Sequence, residues 1–234
     1  MAIGEAKTDE EAEQVLEKGY MSIIGSLLYA AMMTRPDIAF HTAHLAKVMQ
    51  RPSNEALNAA LNVVAYLKKT RMLGITYDKR DSMELWSDSS FGRSPKPMGG
   101  HAVIYGGAAL SWASKALKIV PLSSAEAEAA VLSMGTKDAR YTKMLMAELR
   151  PHKKVHTVDG RCDNTAAIDI IKAHGLTARS KHFERWAAYV RDIYQRGILA
   201  IKHVTTDRMV ADIFTKALPL DAYKRFRDAL LGAR

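Results

Sequence analysis

The chain has 234 residues, of which 48% are hydrophobic, and this is enough apolar material for one large domain or for an ordinary domain with a smaller companion. The formal net charge of +9 favours an anionic partner such as nucleic acid, although basic surfaces also occur on proteins without one. The single cysteine excludes an internal disulfide and a cysteine-cluster zinc site, and it fits a reducing compartment. Residues 1–13 are acidic and polar and lack the pattern of a secretory signal, so we expect an intracellular protein, cytoplasmic or nuclear.

The first 73 residues are predicted to be a lead-in followed by a small helical segment. Residues 1–18 are charged and have no strong apolar period, which predicts a flexible lead-in. Residues 19–73 show helical spacing in three pieces, and Asp37 and Ser53 are placed to cap the second and third. This segment contains no recognisable catalytic pattern.

Residues 74–218 are predicted to form an α/β domain, and residues 219–234 a C-terminal helix. The apolar period changes from helical to alternating near Gly74, and the connections between the first strands are too short for anything but antiparallel pairing. Later strands alternate with helices, which predicts a mixed sheet flanked by helices. The expected strands cover residues 74–77, 83–87, 99–105, 109–113, 155–161 and 198–204, and the expected helices cover residues 123–149 with a break near residue 135, 165–173, 180–195 and 207–216.

Two glutamates near the start of the helix after Pro121 have different expected roles. Ser123 and Glu126 have the spacing of a capping box, in which each side chain satisfies a free amide at the helix N-terminus. Glu128 lies roughly 200° around the helix from Glu126, on the side shared with Val131, at about 100° per residue. A carboxylate on a core-facing side is costly unless it is paired or bound to a cation. We therefore expect Glu128 to face a positive charge.

Three further carboxylates lie near strand ends or in the last predicted helix of the domain. Asp88 ends a strong strand, Asp163 follows the strand after the Glu128 helix, and Asp212 lies inside the final helix. Taken singly, they read as a turn aspartate, a helix cap and an exposed residue paired with a basic neighbour. Together with Glu128, they would repel one another unless divalent cations lay between them. Oxygen ligands of this kind suit magnesium.

Several motifs resemble the ribonuclease H domain of copia-type LTR-retrotransposon Pol polyproteins. Two upstream stretches, Gly25-Ser26-Leu27-Leu28-Tyr29 and Thr34-Arg35-Pro36-Asp37-Ile38, are similar to the segment that joins that domain to the reverse transcriptase. The likeness covers nearly the whole chain from Gly19 onward, and the motifs occur in the family's order. The domain motifs are Leu85-Trp86-Ser87-Asp88, Leu122-Ser123-Ser124-Ala125-Glu126-Ala127-Glu128, Cys162-Asp163-Asn164, Ser180-Lys181-His182 and Ala211-Asp212-Ile213-Phe214-Thr215-Lys216.

The resemblance implies a ribonuclease H-like mixed five-stranded sheet, with its first three strands antiparallel, and an endonuclease that hydrolyses the RNA strand of RNA–DNA hybrids. It implies two Mg²⁺ ions, which Mn²⁺ can replace, and a reverse transcriptase partner in the parent polyprotein. Selectivity for RNA would come from contacts to the 2′-hydroxyl. The implied catalytic and metal-binding acids are Asp88, Glu128, Asp163 and Asp212. The candidate nucleic-acid contacts are Lys115, Arg179, Lys181, His182 and Lys202.

His203 has two interpretations. Ribonucleases H often carry a mobile histidine near the final catalytic aspartate that helps the product to leave. His203 lies shortly before Asp212 in the sequence and could have this role. A partly buried strand histidine is the alternative.

The chain also departs from the family pattern. Asp88 is followed by Ser89-Ser90-Phe91-Gly92, where the family motif usually reads Asp-Ala-Asp-Trp-Ala-Gly, and Ala129 replaces the usual tyrosine. No Tyr-x-Asp-Asp polymerase motif is present, so we expect a fragment or free-standing derivative of a polyprotein without polymerase activity. A catalytically inactive remnant, or an adapted nucleic-acid-binding module, is the alternative to an active ribonuclease.

Overall fold

The computed structural model describes residues 3–92, 97–152, 157–173 and 184–233, and the chain divides into two compact units, residues 1–75 and 76–234. The first contains α1 (Asp9–Glu17), α2 (Tyr20–Met33), a 3₁₀ turn (Pro36–Ile38), α3 (Ala39–Ala46) and α4 (Asn54–Lys69). The second contains β1 (Met83–Ser89), β2 (Met98–Tyr105), β3 (Ala108–Ala116), α5 (Ser124–Leu149), β4 (Val158–Cys162), α6 (Thr165–Lys172), α7 (Glu184–Gln195), β5 (Leu199–His203), 3₁₀ turns at Thr206–Arg208 and Val210–Phe214, and α8 (Leu220–Leu231).

The first unit differs from the sequence prediction at two places. Helix α1 lies within the expected flexible lead-in, because the Thr8 hydroxyl caps it by accepting a hydrogen bond from the Glu11 amide and Val15 is buried on its inner side. Asp37, expected as a helix cap, is fully buried instead. Its Oδ2 lies 2.7 Å from Arg35 Nη2 and accepts a 2.7 Å hydrogen bond from the Tyr66 hydroxyl. This buried ion pair links the turn before α3 to α4.

The second unit is built on a five-stranded sheet with the order β3-β2-β1-β4-β5. Strands β1, β2 and β3 pair antiparallel, whereas β4 pairs parallel to both β1 and β5. This arrangement confirms the predicted fold class, a ribonuclease H-like mixed sheet whose first three strands are antiparallel. Residues 74–77, predicted as a strand, are not one, because the Thr76 amide donates to Leu231 O of α8 at 2.8 Å rather than to a strand ladder.

Helix α5 crosses one face of the sheet and runs unbroken through Gly135, where the sequence predicted a break. The glycine is needed for close packing, since a Cβ at this position would lie 2.7 Å from Leu85 Cδ1 and 3.2 Å from His101 Cβ. Helices α6 and α7 extend the same core beyond α5. The position of Glu128 on α5 is therefore fixed by direct contact between helix and sheet.

The segment 206–214 forms two 3₁₀ turns, whereas the sequence predicted one helix capped by Asp207. Its hydrogen bonds span three residues, as in Asp212 N–H to Met209 O and Thr215 N–H to Asp212 O, both 3.1 Å. Every residue from Met209 to Phe214 is buried, so no exposed side remains of the kind that an amphipathic surface helix needs. The 210–214 segment packs on β1 and β2.

The two faces of the sheet can be assigned from consecutive residues of β2. His101 lies against Gly135 of α5, and a Cβ on Gly100 would clash with Phe214 Cβ. Because successive residues of a strand point to opposite faces, α5 and the 210–214 segment lie on opposite sides of the sheet. Among the described helices, none is both long and apolar enough to cross a membrane.

Candidate functional site

Four acidic side chains converge where β1 and β4 end. In the parallel pairing of these strands Trp86 is the partner of Arg161, and Asp88 and Asp163 each lie two residues further along. Both therefore lie on the same face at neighbouring strand ends. Helix α5 brings Glu128 to this edge, and the 210–214 segment brings Asp212. The four acids chosen from the sequence are thus brought together.

Asp88 is buried inside β1 rather than in a turn. Its Oδ2 accepts a hydrogen bond from the Thr215 hydroxyl. Burial, followed by the neighbouring charge of Asp212, raises the pKa of Asp88 to about 7, against the opposing influence of Thr215 and Lys216. A carboxyl group in this position holds a proton at neutral pH more readily than an ordinary aspartate does.

Glu128 is 4% exposed, and its two carboxylate oxygens differ in their hydrogen bonding. Its Oε1 accepts hydrogen bonds from the Ser89 amide at 2.9 Å and the Ser89 hydroxyl at 2.7 Å. Its Oε2 is buried and has no hydrogen-bond partner among the described residues. Burial and then the charge of Asp88 raise the pKa of Glu128 well above its ordinary value, although the Ser89 hydrogen bonds oppose the shift.

Asp163 does not cap the following helix. The neighbouring Asn164 does so, because its Oδ1 accepts a 3.0 Å hydrogen bond from the Ala167 amide at the start of α6. The Asp163 carboxylate is partly exposed and accepts a 3.0 Å hydrogen bond from the Thr206 hydroxyl. Asp163 is therefore free to face Glu128, and the two side chains each place an oxygen within 4.8 Å of the other.

Asp212 is 3% exposed within the 210–214 segment. Its Oδ2 lies 2.8 Å from Lys216 Nζ, the basic partner that the sequence suggested, but Asp212 is buried and Lys216 half-buried rather than on an exposed helix face. Asp212 Oδ1 is buried and lacks a partner within the described part of the chain. Burial raises the pKa of Asp212, and the charge of Asp163 adds to this, while Lys216 lowers it.

The other predicted site residues are less closely associated with the acids. His203 is exposed at the end of β5, not buried, and its Nε2 lies 3.2 Å from the Asp163 backbone oxygen. Lys202 is paired with Asp159 at 2.9 Å, and Lys115 is exposed at the end of β3. Arg179, Lys181 and His182 lie outside the described residues.

Three hydroxyl donors to the acids were not predicted. Ser89, Thr206 and Thr215 each donate to one of the carboxylates. Thr215 lies inside the last motif of the domain, and Ser89 directly follows Asp88. Their positions next to the acids in the sequence could have indicated that these two hydroxyls contact the site. Thr206 carried no such signal, because its contact depends on the 3₁₀ geometry after β5.

Comparison with known proteins gives relatives among transposon polyproteins. The chain is 29% identical over 221 residues to the retrovirus-related Pol polyprotein from transposon TNT 1-94 of Nicotiana tabacum, covering 93% of this chain and 16% of the relative. It is 31% identical over 212 residues to the corresponding polyprotein from transposon RE1 of Arabidopsis thaliana, covering 88% of this chain and 14% of the relative. The chain thus spans a small part of the curated relatives that it matches.

Among solved structures, the N-terminal ribonuclease H domain of a Mycobacterium tuberculosis protein is 14% identical, with a TM-score of 0.45. The match covers 63% of this chain and 97% of that one. No family model matches the chain.

Proposed function

Because the chain belongs to the retrovirus-related Pol polyproteins of transposons, we propose that it is a copia-type, metal-dependent ribonuclease that hydrolyses the RNA strand of RNA–DNA hybrids. The observation that carries the proposal is the cluster of Asp88, Glu128, Asp163 and Asp212, in which Glu128 Oε2 and Asp212 Oδ1 are buried without a partner among the described residues. A buried carboxylate oxygen without a donor is costly. Divalent cations would remove that cost.

The residues present fit such cations. Carboxylate oxygens are the ligands that Mg²⁺ prefers, and the pKa values of Asp88, Glu128 and Asp212 are raised by burial and by neighbouring negative charges, an effect that a bound cation would offset. When bound, two Mg²⁺ ions would activate a water for attack on the phosphorus and stabilise charge on the leaving 3′ oxygen. Asp88, Glu128, Asp163 and Asp212 would hold the ions, and Asp88 is linked to two of the others, because the charge of Asp212 raises the pKa of Asp88 and the charge of Asp88 raises that of Glu128.

The chain's own donors hold the acids for this role. Ser89 and Thr215 fix one oxygen each of Glu128 and Asp88, which leaves the remaining oxygens to turn towards a cation. Lys115, Lys202 and His203 are proposed to contact the nucleic acid or help its release. An intracellular location and a reverse transcriptase from the same polyprotein as partner belong to the same proposal.

The test is cleavage of an RNA–DNA hybrid labelled separately on each strand, measured at increasing Mg²⁺ and then Mn²⁺. We expect cleavage of the RNA strand alone, and at least about a hundredfold slower cleavage by Asp88→Asn because it loses a metal ligand. Asp169→Asn, which changes an exposed aspartate of α6, is the matched control and should cleave like the wild type.

The chemistry of the product ends separates this activity from a contaminating ribonuclease. Attack by water with a 3′ leaving oxygen gives 5′-phosphate and 3′-hydroxyl ends, whereas attack by the 2′-hydroxyl gives a 2′,3′-cyclic phosphate. Absence of cleavage at every metal concentration, with hybrid binding intact, would instead favour the inactive nucleic-acid-binding module. Weaker binding at higher salt is expected in both cases and does not discriminate.

A further inference from the structure

The only cysteine of the chain lies beside the acid cluster. Cys162 is the last residue of β4 and directly precedes Asp163. Its Sγ, one oxygen of Glu128 and one oxygen of Asp163 all lie within 4.8 Å of one another. The sulfur is fully buried, and its one described polar contact is a distant one, 3.9 Å to the Asn164 backbone oxygen. The thiol therefore lies at the border of the hydrophobic core, with apolar side chains on one part of its surroundings and two carboxylates close by.

A second observation points to a ligand at this place. Glu128 is 4% exposed, and its Oε2 has no hydrogen-bond partner in the described part of the structure. Asp163, the third member of the group, is partly exposed. The three groups together provide one sulfur and two carboxylate ligands close to one another, two of them buried and one partly exposed.

We propose that Glu128, Cys162 and Asp163 form a binding site for Zn²⁺, and that Zn²⁺ bound there competes with Mg²⁺ for the acid cluster. Magnesium takes oxygen ligands in a nearly ideal octahedron and has little affinity for sulfur, so Cys162 would not take part in its binding. Zinc accepts thiolate and carboxylate together, and three protein ligands with a water in the fourth position is a common arrangement. On binding, the Cys162 S–H proton is released to solvent and an S–Zn bond forms.

The geometry requires only a modest contraction. Zinc–sulfur and zinc–oxygen bonds of about 2.3 Å and about 2.0–2.2 Å keep tetrahedral ligand atoms about 3.5 Å apart. The present separations do not exceed 4.8 Å, so each pair of ligand atoms must approach by no more than about 1.3 Å. Side-chain rotation of the partly exposed Asp163 can supply much of this.

The inference rests on the proposed function in one respect, that Glu128 and Asp163 belong to the acids proposed for Mg²⁺. Zinc held by these two residues and Cys162 would withdraw two of the four carboxylates from magnesium. The site would thus make hybrid cleavage sensitive to thiophilic metals.

The experiment uses the full chain without nucleic acid and follows titration with Cd²⁺, a thiophilic ion whose bond to a thiolate has an ultraviolet sulfur-to-metal charge-transfer band. Because the chain has one cysteine, any such band arises from Cys162. We expect a band that saturates at one ion per chain, and its absence from Cys162→Ala. Calorimetric titration with Zn²⁺ should show at least about a tenfold loss of affinity in Cys162→Ala and in Glu128→Gln.

Two controls make the result specific. Glu126→Gln, on the same helix but outside the triad, should keep the Zn²⁺ affinity within about twofold, and its helix cap should persist because glutamine can accept the same hydrogen bond. Added Mg²⁺ should shift the Cd²⁺ midpoint upward, since the ions share ligands. A missing band in the folded wild type, or a Zn²⁺ affinity that is unchanged in both Cys162→Ala and Glu128→Gln, would overturn the site.

The readout is independent of cleavage. A Cys162-dependent band in a protein that cleaves no hybrid would refute only the proposed function. Cleavage without the band would refute only the zinc site.

Discussion

At the scale of single residues, each carboxyl group of the cluster has a donor at one oxygen, and two of the four groups have a buried second oxygen without a partner among the described residues. Ser89 holds Glu128 and Lys216 holds Asp212, while Glu128 Oε2 and Asp212 Oδ1 are buried without partners among the described residues. Burial and the negative charges of neighbouring carboxylates both disfavour the ionised form. They therefore raise the pKa values of Asp88, Glu128 and Asp212. In the absence of a cation, the cluster lowers the stability of the fold.

This cost predicts how the metal-free protein responds to pH. The pKa of Asp88 is raised to about 7 from an ordinary value of 3.8, so between these values the folded state binds more protons than the unfolded state. The contribution of Asp88 to stability is then greatest at low pH and falls as the pH rises from about 4 to about 7. Urea unfolding in the presence of a chelator should show this decrease, and Asp88→Asn should reduce it.

The same series has an internal control. Asp169→Asn, in which an exposed carboxylate is removed, should leave the pH dependence as in the wild type. Saturating Mg²⁺ should raise wild-type stability at pH 7 and raise that of Asp88→Asn much less. An equal decrease with pH in wild type and Asp88→Asn would show that the cluster is not the source.

At the scale of structural elements, a glycine allows the 210–214 segment to reach the acids. Gly100 is the partner of Asp88 in the β1–β2 ladder, and the backbone of Phe214 and the side chain of Thr215 lie against it. A Cβ at Gly100 would clash with Phe214 Cβ and would lie 3.2 Å from Thr215 Cγ2. Only a residue without a side chain permits this approach, which places both Thr215 and Asp212 beside Asp88.

Replacing this glycine should therefore disturb the site as well as the fold. Gly100→Ala is expected to lower the free energy of unfolding by about 1–3 kcal/mol, the range for overpacking, and to weaken the stabilisation by Mg²⁺. The control is Gly25→Ala in α2, where a Cβ meets nothing within 4 Å and helix propensity favours alanine by up to about 1 kcal/mol. Thermal unfolding with and without Mg²⁺ measures both, and an unperturbed Gly100→Ala would contradict the packing argument.

At the scale of the whole molecule, the sheet order determines which acids meet. Strand β4 is added parallel to β1, so Asp88 and Asp163 lie side by side at the same edge although 75 positions separate them in the sequence (163 − 88). Strand periodicity and short connections predicted the mixed sheet, whereas the placement of β4 beside β1 followed from no local pattern and the five-stranded sheet was implied by the family resemblance. The helical phase of Glu128 relative to Glu126 was also predictable.

Other features depend on packing that no local pattern encodes. Every residue of the segment carrying Asp212 is buried, so helical periodicity gave the wrong prediction there. Gly135, which suggested a helix break, lies within a continuous helix and allows close packing on Leu85. The cap of α5 was predicted nearly as found. The Ser123 hydroxyl accepts from the Glu126 amide at 3.2 Å, but Glu126 reaches the amide of Leu122, one residue before the expected one, at 2.7 Å.

These two glutamates provide the most direct measurement of the central claim, that the acid cluster binds the cations that drive hybrid hydrolysis. Initial rates of RNA-strand cleavage should be compared for wild type, Glu126→Gln and Glu128→Gln at saturating Mg²⁺, with circular dichroism to confirm equal folding. Glu126→Gln should stay within about twofold, because glutamine can still accept the Leu122 hydrogen bond. Glu128→Gln should be slower by at least about a hundredfold, because it loses a metal ligand. Equal rates for the two variants, or a slower Glu126→Gln, would contradict the account.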